Sequence, residues 1–172
     1  MSAPDNGWSV ASEESANHPR MRTMASINPM RLFQVDDAGH LFISPAIPDW
    51  APLGEHGIDT VIDLEGGLDQ CIPTAPGACL YVYFPIFDEE LPDLARLEAV
   101  SILGAHLVRN GHRVLSHCGM GFNRSALIAG RILHRLGMDG PSIVERLRER
   151  RPGALFNEVF AEHIGSLRIE RS

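Results

Sequence analysis

The chain has 172 residues, 44% hydrophobic and 22% charged, a balance that suits one compact domain with a sizeable core and excludes a disordered chain. Its fifteen basic residues are all arginine against twenty-two acids, for a net charge of −7, and without lysine a Walker phosphate loop, Schiff-base catalysis and pyridoxal phosphate anchoring are impossible. Three cysteines with no C-x-x-C pair exclude a disulfide framework and a structural zinc site, and no apolar run approaches the ~18 residues of a membrane helix.

Residues 1–25 are rich in Ser, Asn, Glu and Pro and read as a flexible tail, with the domain expected over 26–172. The first twenty residues lack the basic start and apolar stretch of a signal peptide, so the expected location is the cytoplasm. Residues 30–35 and 40–44 are β-prone runs joined by Asp36-Asp37-Ala38-Gly39, the chemistry of a hairpin loop. After Pro45 and Pro48, residues 49–56 predict a short helix closed by Gly57. Ile58 to Leu64 (IDTVIDL) predicts a core strand ended by Gly66-Gly67, and a loop follows to Ala78.

The aromatic and β-branched stretch 80–87 (LYVYFPIF) predicts another core strand, with Pro85 near its end. Apolar residues at 94, 97, 100, 103 and 107 make a helical stripe over 92–109, stopped by Asn110-Gly111. A short strand is expected at 112–117, a glycine-bearing loop at 118–124, and helices at 125–137 and 141–151. Asn157, a favoured N-cap residue, opens a last helix to about Ile169. Strands alternating with helices predict an α/β fold, with a central mixed sheet of about four to five strands flanked by helices.

Charge is divided unevenly along the chain. Residues 1–95 hold three arginines and fifteen acids, and residues 96–172 hold twelve arginines and seven acids. An acidic total argues against a nucleic-acid or anionic-membrane binder, while the basic second half suits a site for a compact anion. The informative segment lies there: VLSHCGMGFNRS, residues 114–125, in which a strand delivers Cys118 to a loop and a helix begins near Ser125. Such a loop gathers backbone N–H groups around one point at a positive helix N-terminus, an anion cradle. Arg124 offers a planar fork for two phosphate oxygens. A cysteine at the mouth of that cradle sits in a field that favours thiolate, and the Ser125 hydroxyl can donate to its sulfur.

His117, Cys118, five residues, Arg124 and Ser125 resemble the signature of the cysteine-dependent protein tyrosine phosphatase superfamily. The chain is short for the large tyrosine phosphatases, and its signature is mid-chain, unlike that of the low-molecular-weight enzymes. It therefore resembles the small dual-specificity phosphatases, from about Met30 to Ile169. The resemblance implies a phosphotyrosine phosphatase-like fold, with Cys118 as nucleophile, Arg124 as phosphate clamp, Ser125 as thiolate partner and His117 orienting the loop from behind. Gly119, Met120, Gly121, Phe122 and Asn123 would donate backbone N–H groups to phosphate. It also implies a general acid in the loop after the strand that precedes the long helix, here FDEELPD. Asp88 is the first choice, standing nearest the sheet edge; Asp93 is the second, with a helix-start role as its simpler explanation, and Glu89 and Glu90 read as solvated loop acids.

The expected reaction is phosphomonoester hydrolysis through a phosphocysteine, with no cofactor and no metal. The expected substrate class is a phosphorylated protein, on tyrosine or on serine and threonine. A small phosphorylated metabolite or lipid stands second, although the loop centre GMGFN lacks the lysine that phosphoinositide phosphatases of this superfamily tend to carry. Two other readings of the loop are a phosphate-recognition module without turnover and a rhodanese-type sulfur-transfer domain. Cys71 and Cys79 read as packing residues, with a reversible disulfide to Cys118 as the alternative. The remaining histidines show no metal-ligand spacing, and oligomeric state is left open.

Overall fold

The computed structural model describes residues 31–169, so the tail expected over 1–25 lies outside the described residues. The hairpin forms as its turn chemistry dictates: β1 (Phe33–Gln34) pairs antiparallel with β2 (Leu41–Ser44). Buried Asp36 accepts from the His40 and Leu41 N–H groups at 3.0 and 2.9 Å, and Gly39 takes a φ of 76° to close the loop. A short helix α1 (Ala51–Glu55) leads into β3 (Thr60–Asp63), β4 (Leu80–Tyr83) and the long helix α2 (Leu94–Arg109). The chain then forms β5 (Val114–His117), α3 (Arg124–Arg135), α4 (Gly140–Arg150) and α5 (Glu158–Gly165).

The five strands lie in the order β1-β2-β5-β3-β4, parallel except for β1, which makes the expected mixed sheet. Side chains alternate between the faces. Ile43, Ile62 and Val114 join the large core under α2, α3, α4 and α5, while Phe42, Val61 and Leu115 face a smaller cluster closed by Leu53 of α1. Helix α3 is buried over its whole first half, Ser125 to Gly130, because the sheet, α2, α4 and α5 surround it. Gly104 lets α2 approach, since a Cβ there would stand 2.4 Å from Ile132 Cδ1.

Several predicted elements are shorter than expected, β4 and α5 among them. Strand β4 ends at Tyr83 rather than 87: the Phe84 N–H still donates to Asp63 O, but Ile86, two residues on, donates to Leu64 O, only one residue on, so the register slips and the ladder ends. Helix α5 ends at Gly165 rather than near 169. The segment beyond it is drawn onto the start of α4, where the Gly140 N–H donates to Leu167 O at 3.1 Å. No helix among the described residues is long and apolar enough to cross a membrane.

Candidate active site

Ser44, His117 and Asp63 are in register at the carboxyl ends of β2, β5 and β3. The loop 118–123 therefore leaves from the middle of the sheet edge, where α/β folds place their ligands, and runs straight into the N-terminus of α3. Its carbonyls are tied outward one after another. Gly119 O accepts from Ala46 N at 3.3 Å, Met120 O and Gly121 O from Arg151 at 3.3 and 3.4 Å, and Phe122 O from Leu155 N at 2.9 Å. With those oxygens held on the outside, the Gly121 N–H turns to the Cys118 sulfur at the loop's centre, while the Gly119 N–H is taken by Glu65 Oε2. Leu155 keeps a φ of 55°, a strained value for leucine, as it makes the last of these bonds.

Arg151 acts as a brace from behind. Its guanidinium lies 3.9 Å from the Phe122 ring centroid and 4.3 Å from that of Phe33. Phe156 packs edge-on against Phe122, and Met120, 66% exposed, stands on the rim. Gly121 has a φ of 69°, and a Cβ there would stand 2.6 Å from Pro45 N and Ser44 C, so glycine is required twice over.

At the loop's centre Cys118 is only 3% exposed. Its Sγ accepts the Gly121 N–H at 3.3 Å and lies 3.6 Å from Ser125 Oγ. Arg124, the first residue of α3, is fixed from three sides: Nη1 donates to Leu64 O at 3.1 Å and Ile86 O at 3.4 Å, and Nη2 to Glu65 Oε2 at 2.9 Å. The Arg124 Nε, buried, makes no hydrogen bond among the described residues and lies 3.9 Å from Asp88 Oδ1. Glu65 Oε2 also accepts the Gly119 N–H. Burial alone would raise the Glu65 carboxyl, but the Arg124 hydrogen bond and charge, with the Gly119 and Gly66 amides, outweigh it and hold it below its ordinary value.

Asp88 stands at the mouth. Its Oδ2 accepts from Asn123 Nδ2 at 3.2 Å, and its backbone carbonyl accepts from Asn157 Nδ2. The Asn157 N–H in turn donates to Asn123 Oδ1 at 3.0 Å. Asn157 also caps α5 as expected, accepting the Phe160 N–H at 3.3 Å. The other acid, Asp93, is occupied elsewhere: it is the N-cap of α2 and accepts the Arg96 N–H at 2.8 Å. Glu89 and Glu90 are exposed. The loop after β4 thus brings Asp88, and not Asp93, to Arg124.

Behind the loop His117 is fully buried, its Nε2 2.9 Å from Asp69 Oδ2 and 3.5 Å from Asp63 Oδ1. The Tyr81 hydroxyl donates to Asp63 Oδ2 at 2.5 Å and lies 3.1 Å from Asp69 Oδ2. Burial pushes the Asp69 carboxyl up, helped by Asp63 and opposed by His117. The same burial pushes His117 down despite both carboxylates. Cys71 is exposed, and Cys79 packs against the small core cluster, where burial raises its thiol.

Sequence patterns single out none of Asp63, Glu65, Asp69 or Arg151. The available signal was the run DLEGGLD at the end of β3, three carboxylates beside a buried strand, one of them fully buried. Asp63 and Asp69 reach under the cradle to His117, and Glu65 reaches over it to Arg124.

No family profile and no curated protein matches the chain by sequence. Solved structures do. The chain superposes on human DUSP28 with a TM-score of 0.66 at 28% identity, covering 81% of this chain and 94% of that one. A mouse putative dual specificity phosphatase, solved with zinc tungstate, gives a TM-score of 0.67 at 26% identity, covering 83% and 89%. Tk-PTP in its active form shares the fold, with a TM-score of 0.64 at 22% identity over 80% and 97%. The five-stranded mixed sheet with its flanking helices is the fold of these phosphatases. In fold and in the spacing of His117, Cys118, Arg124 and Ser125 the chain is therefore similar to the small dual-specificity phosphatases of the cysteine-dependent protein tyrosine phosphatase superfamily.

Proposed function

We propose that the chain hydrolyses phosphomonoesters through a phosphocysteine, without a metal, and that its substrates are phosphoproteins carrying phosphotyrosine or phosphoserine and phosphothreonine. The observation that carries this reading is the meeting of Cys118, Arg124 and Asp88 at one loop whose carbonyls from Gly119 to Phe122 are drawn outward. In the first step the Cys118 thiolate attacks phosphorus in line while Asp88 delivers its proton to the departing oxygen, giving phosphocysteine and free alcohol. Arg124 and the loop N–H groups hold the equatorial oxygens throughout, as phosphoryl transfer asks chiefly for positioning and charge stabilisation. In the second step ionised Asp88 takes a proton from the attacking water, and Cys118 leaves as thiolate. The Ser125 hydroxyl, 3.6 Å from Sγ, donates to it and steadies that leaving group.

Supporting roles follow from the contacts. Glu65 and the Leu64 and Ile86 carbonyls orient the Arg124 fork, His117 seats the loop from below, and Asn123 with Asn157 sets Asp88 over the cradle. We also assign the whole of 26–172 to one catalytic domain.

The deciding experiment is para-nitrophenyl phosphate hydrolysis against pH, with chelator present, for the wild type beside Cys118→Ser. A bell-shaped rate, insensitive to chelator and absent in the variant, is expected. Folded wild type that binds tungstate without turnover would instead make the loop a phosphate-recognition site.

A further inference from the structure

We propose that the cavity beside the cradle selects phosphosites by charge, taking a phosphorylated side chain flanked by basic residues and disfavouring one flanked by acids, with Glu89 as the selecting residue. This rests on the reading of phosphoproteins as substrates. The cavity, of about 570 Å³, opens between Glu65 after β3 and the loop after β4, with Arg124 forming its wall toward Cys118. Its volume is that of an ordinary ligand pocket. Tyr83, Pro85, Ile86 and Phe87 give it an apolar side, and Phe87 is 74% exposed, a surface suited to the apolar part of the phosphorylated residue and its neighbour.

The charged groups on its lining are one base, Arg124, and three acids, Glu65, Asp88 and Glu89. They are not equivalent. Glu65 is ion-paired with Arg124 at 2.9 Å, and Asp88 is held by Asn123 and faces the same arginine. Once a phosphate takes Arg124, the cation of the cavity is committed. Glu89 is exposed and makes no hydrogen bond or ion pair among the described residues. The adjoining cavity, which shares Pro85, Ile86 and Phe87, is lined by two acids, Glu90 and Asp93, and one base, Arg96.

A second anion next to the phosphate would therefore meet a carboxylate with no compensating charge, whereas a guanidinium or ammonium would pair with it. An exposed pair of this kind changes affinity severalfold and is screened by salt. The opposite side of the loop is basic, with Arg151 beside Arg31, but Arg151 is spent on the Met120 and Gly121 carbonyls.

The test compares two phosphotyrosine peptides that differ only in having arginine or glutamate on both sides of the phosphotyrosine, with para-nitrophenyl phosphate as the substrate without flanks. For the full chain at low salt, kcat/KM for the arginine peptide is expected to exceed that for the glutamate peptide by roughly three- to tenfold. The ratio should fall toward one in 0.5 M salt, about a 4 Å Debye length. Glu89→Arg should invert it and Glu89→Gln should shrink it, both leaving turnover of para-nitrophenyl phosphate unchanged. A wild-type ratio of one or below, or a ratio that neither variant moves, overturns the proposal. Turnover of para-nitrophenyl phosphate with neither peptide cleaved overturns the phosphoprotein reading and this proposal with it, and loss of all turnover overturns the phosphatase mechanism itself.

Discussion

The Glu65 carboxylate stands 2.9 Å from Arg124 Nη2 and takes the Gly119 N–H on the same oxygen. One acid thus grips both the arginine proposed to meet phosphate and the Gly119 amide of the loop beside it. Glu65→Gln should lower kcat/KM for para-nitrophenyl phosphate by about ten- to a hundredfold, since a small misplacement of a clamp costs that much. Vanadate affinity should weaken in parallel, and Glu65→Asp should fall between. A rate that rises in Glu65→Gln would mean that Glu65 competes with phosphate for these donors.

Asp88 and Asp93 are separated by their hydrogen bonds, one tied to the cradle and the other to the start of α2. Asp88→Asn should cut kcat by roughly 10²–10⁴-fold and remove the basic limb of the pH–rate profile. Asp93→Asn should keep that limb. Asp93→Ala should cost about 1 kcal/mol of stability in a urea titration, as the loss of an N-cap does. The reverse pattern would move the acid to Asp93.

Gly121 combines a φ of 69° with backbone atoms of Ser44 and Pro45 at 2.6 Å from a built Cβ. Gly121→Ala must therefore push the loop off β2 and pull its amide from Cys118 Sγ. We expect a folded protein by circular dichroism with turnover reduced at least a hundredfold. Normal kinetics in this variant would contradict the described loop geometry.

Arg151 holds two loop carbonyls and two phenyl rings at once. Arg151→Lys cannot reproduce the planar, multidentate contact and should lower both thermal stability and kcat/KM. Arg151→Ala should do so more, with about 1–3 kcal/mol lost. Loss of activity with unchanged stability would point to a direct contact with substrate instead.

Burial depresses both His117 and His163, the latter also through the charge of Arg131. A histidine lowered in the folded state takes up its proton first in the unfolded chain, so stability is fully present above pH 6.5 and is lost as pH falls below it. Asp69, raised in the folded state, acts in the opposite sense, its contribution present below 3.8 and lost as pH rises from there. The unfolding temperature should therefore drop between pH 7 and 5, and His163→Gln should flatten part of that slope. A flat profile in the wild type would show that neither imidazole is desolvated in solution.

The local chemistry of the chain was enough for its elements and for the centre of its site. The run IDTVIDL marked β3, the apolar pair Val114 and Leu115 marked β5, the stripe from Leu94 to Leu107 marked α2, and Asp36 with Gly39 marked the hairpin. The run from His117 to Ser125 carried the proposed nucleophile, the proposed clamp and the family resemblance because all of these are contiguous on one strand, one loop and one helix start. Strand order and the groups around that run were settled by long-range packing. Glu65 stands fifty-nine residues from Arg124, and Asn157 sixty-nine from Asp88, so no periodicity or spacing relates them. Asp63 in a strand and Asp69 in a loop have no evident relation to His117 until β3 pairs with β5 and sets them against it. The choice of Asp88 over Asp93 likewise depended on where the chain leaves β4, because hydrogen bonds between distant segments form only once the sheet has brought its strand ends to one edge.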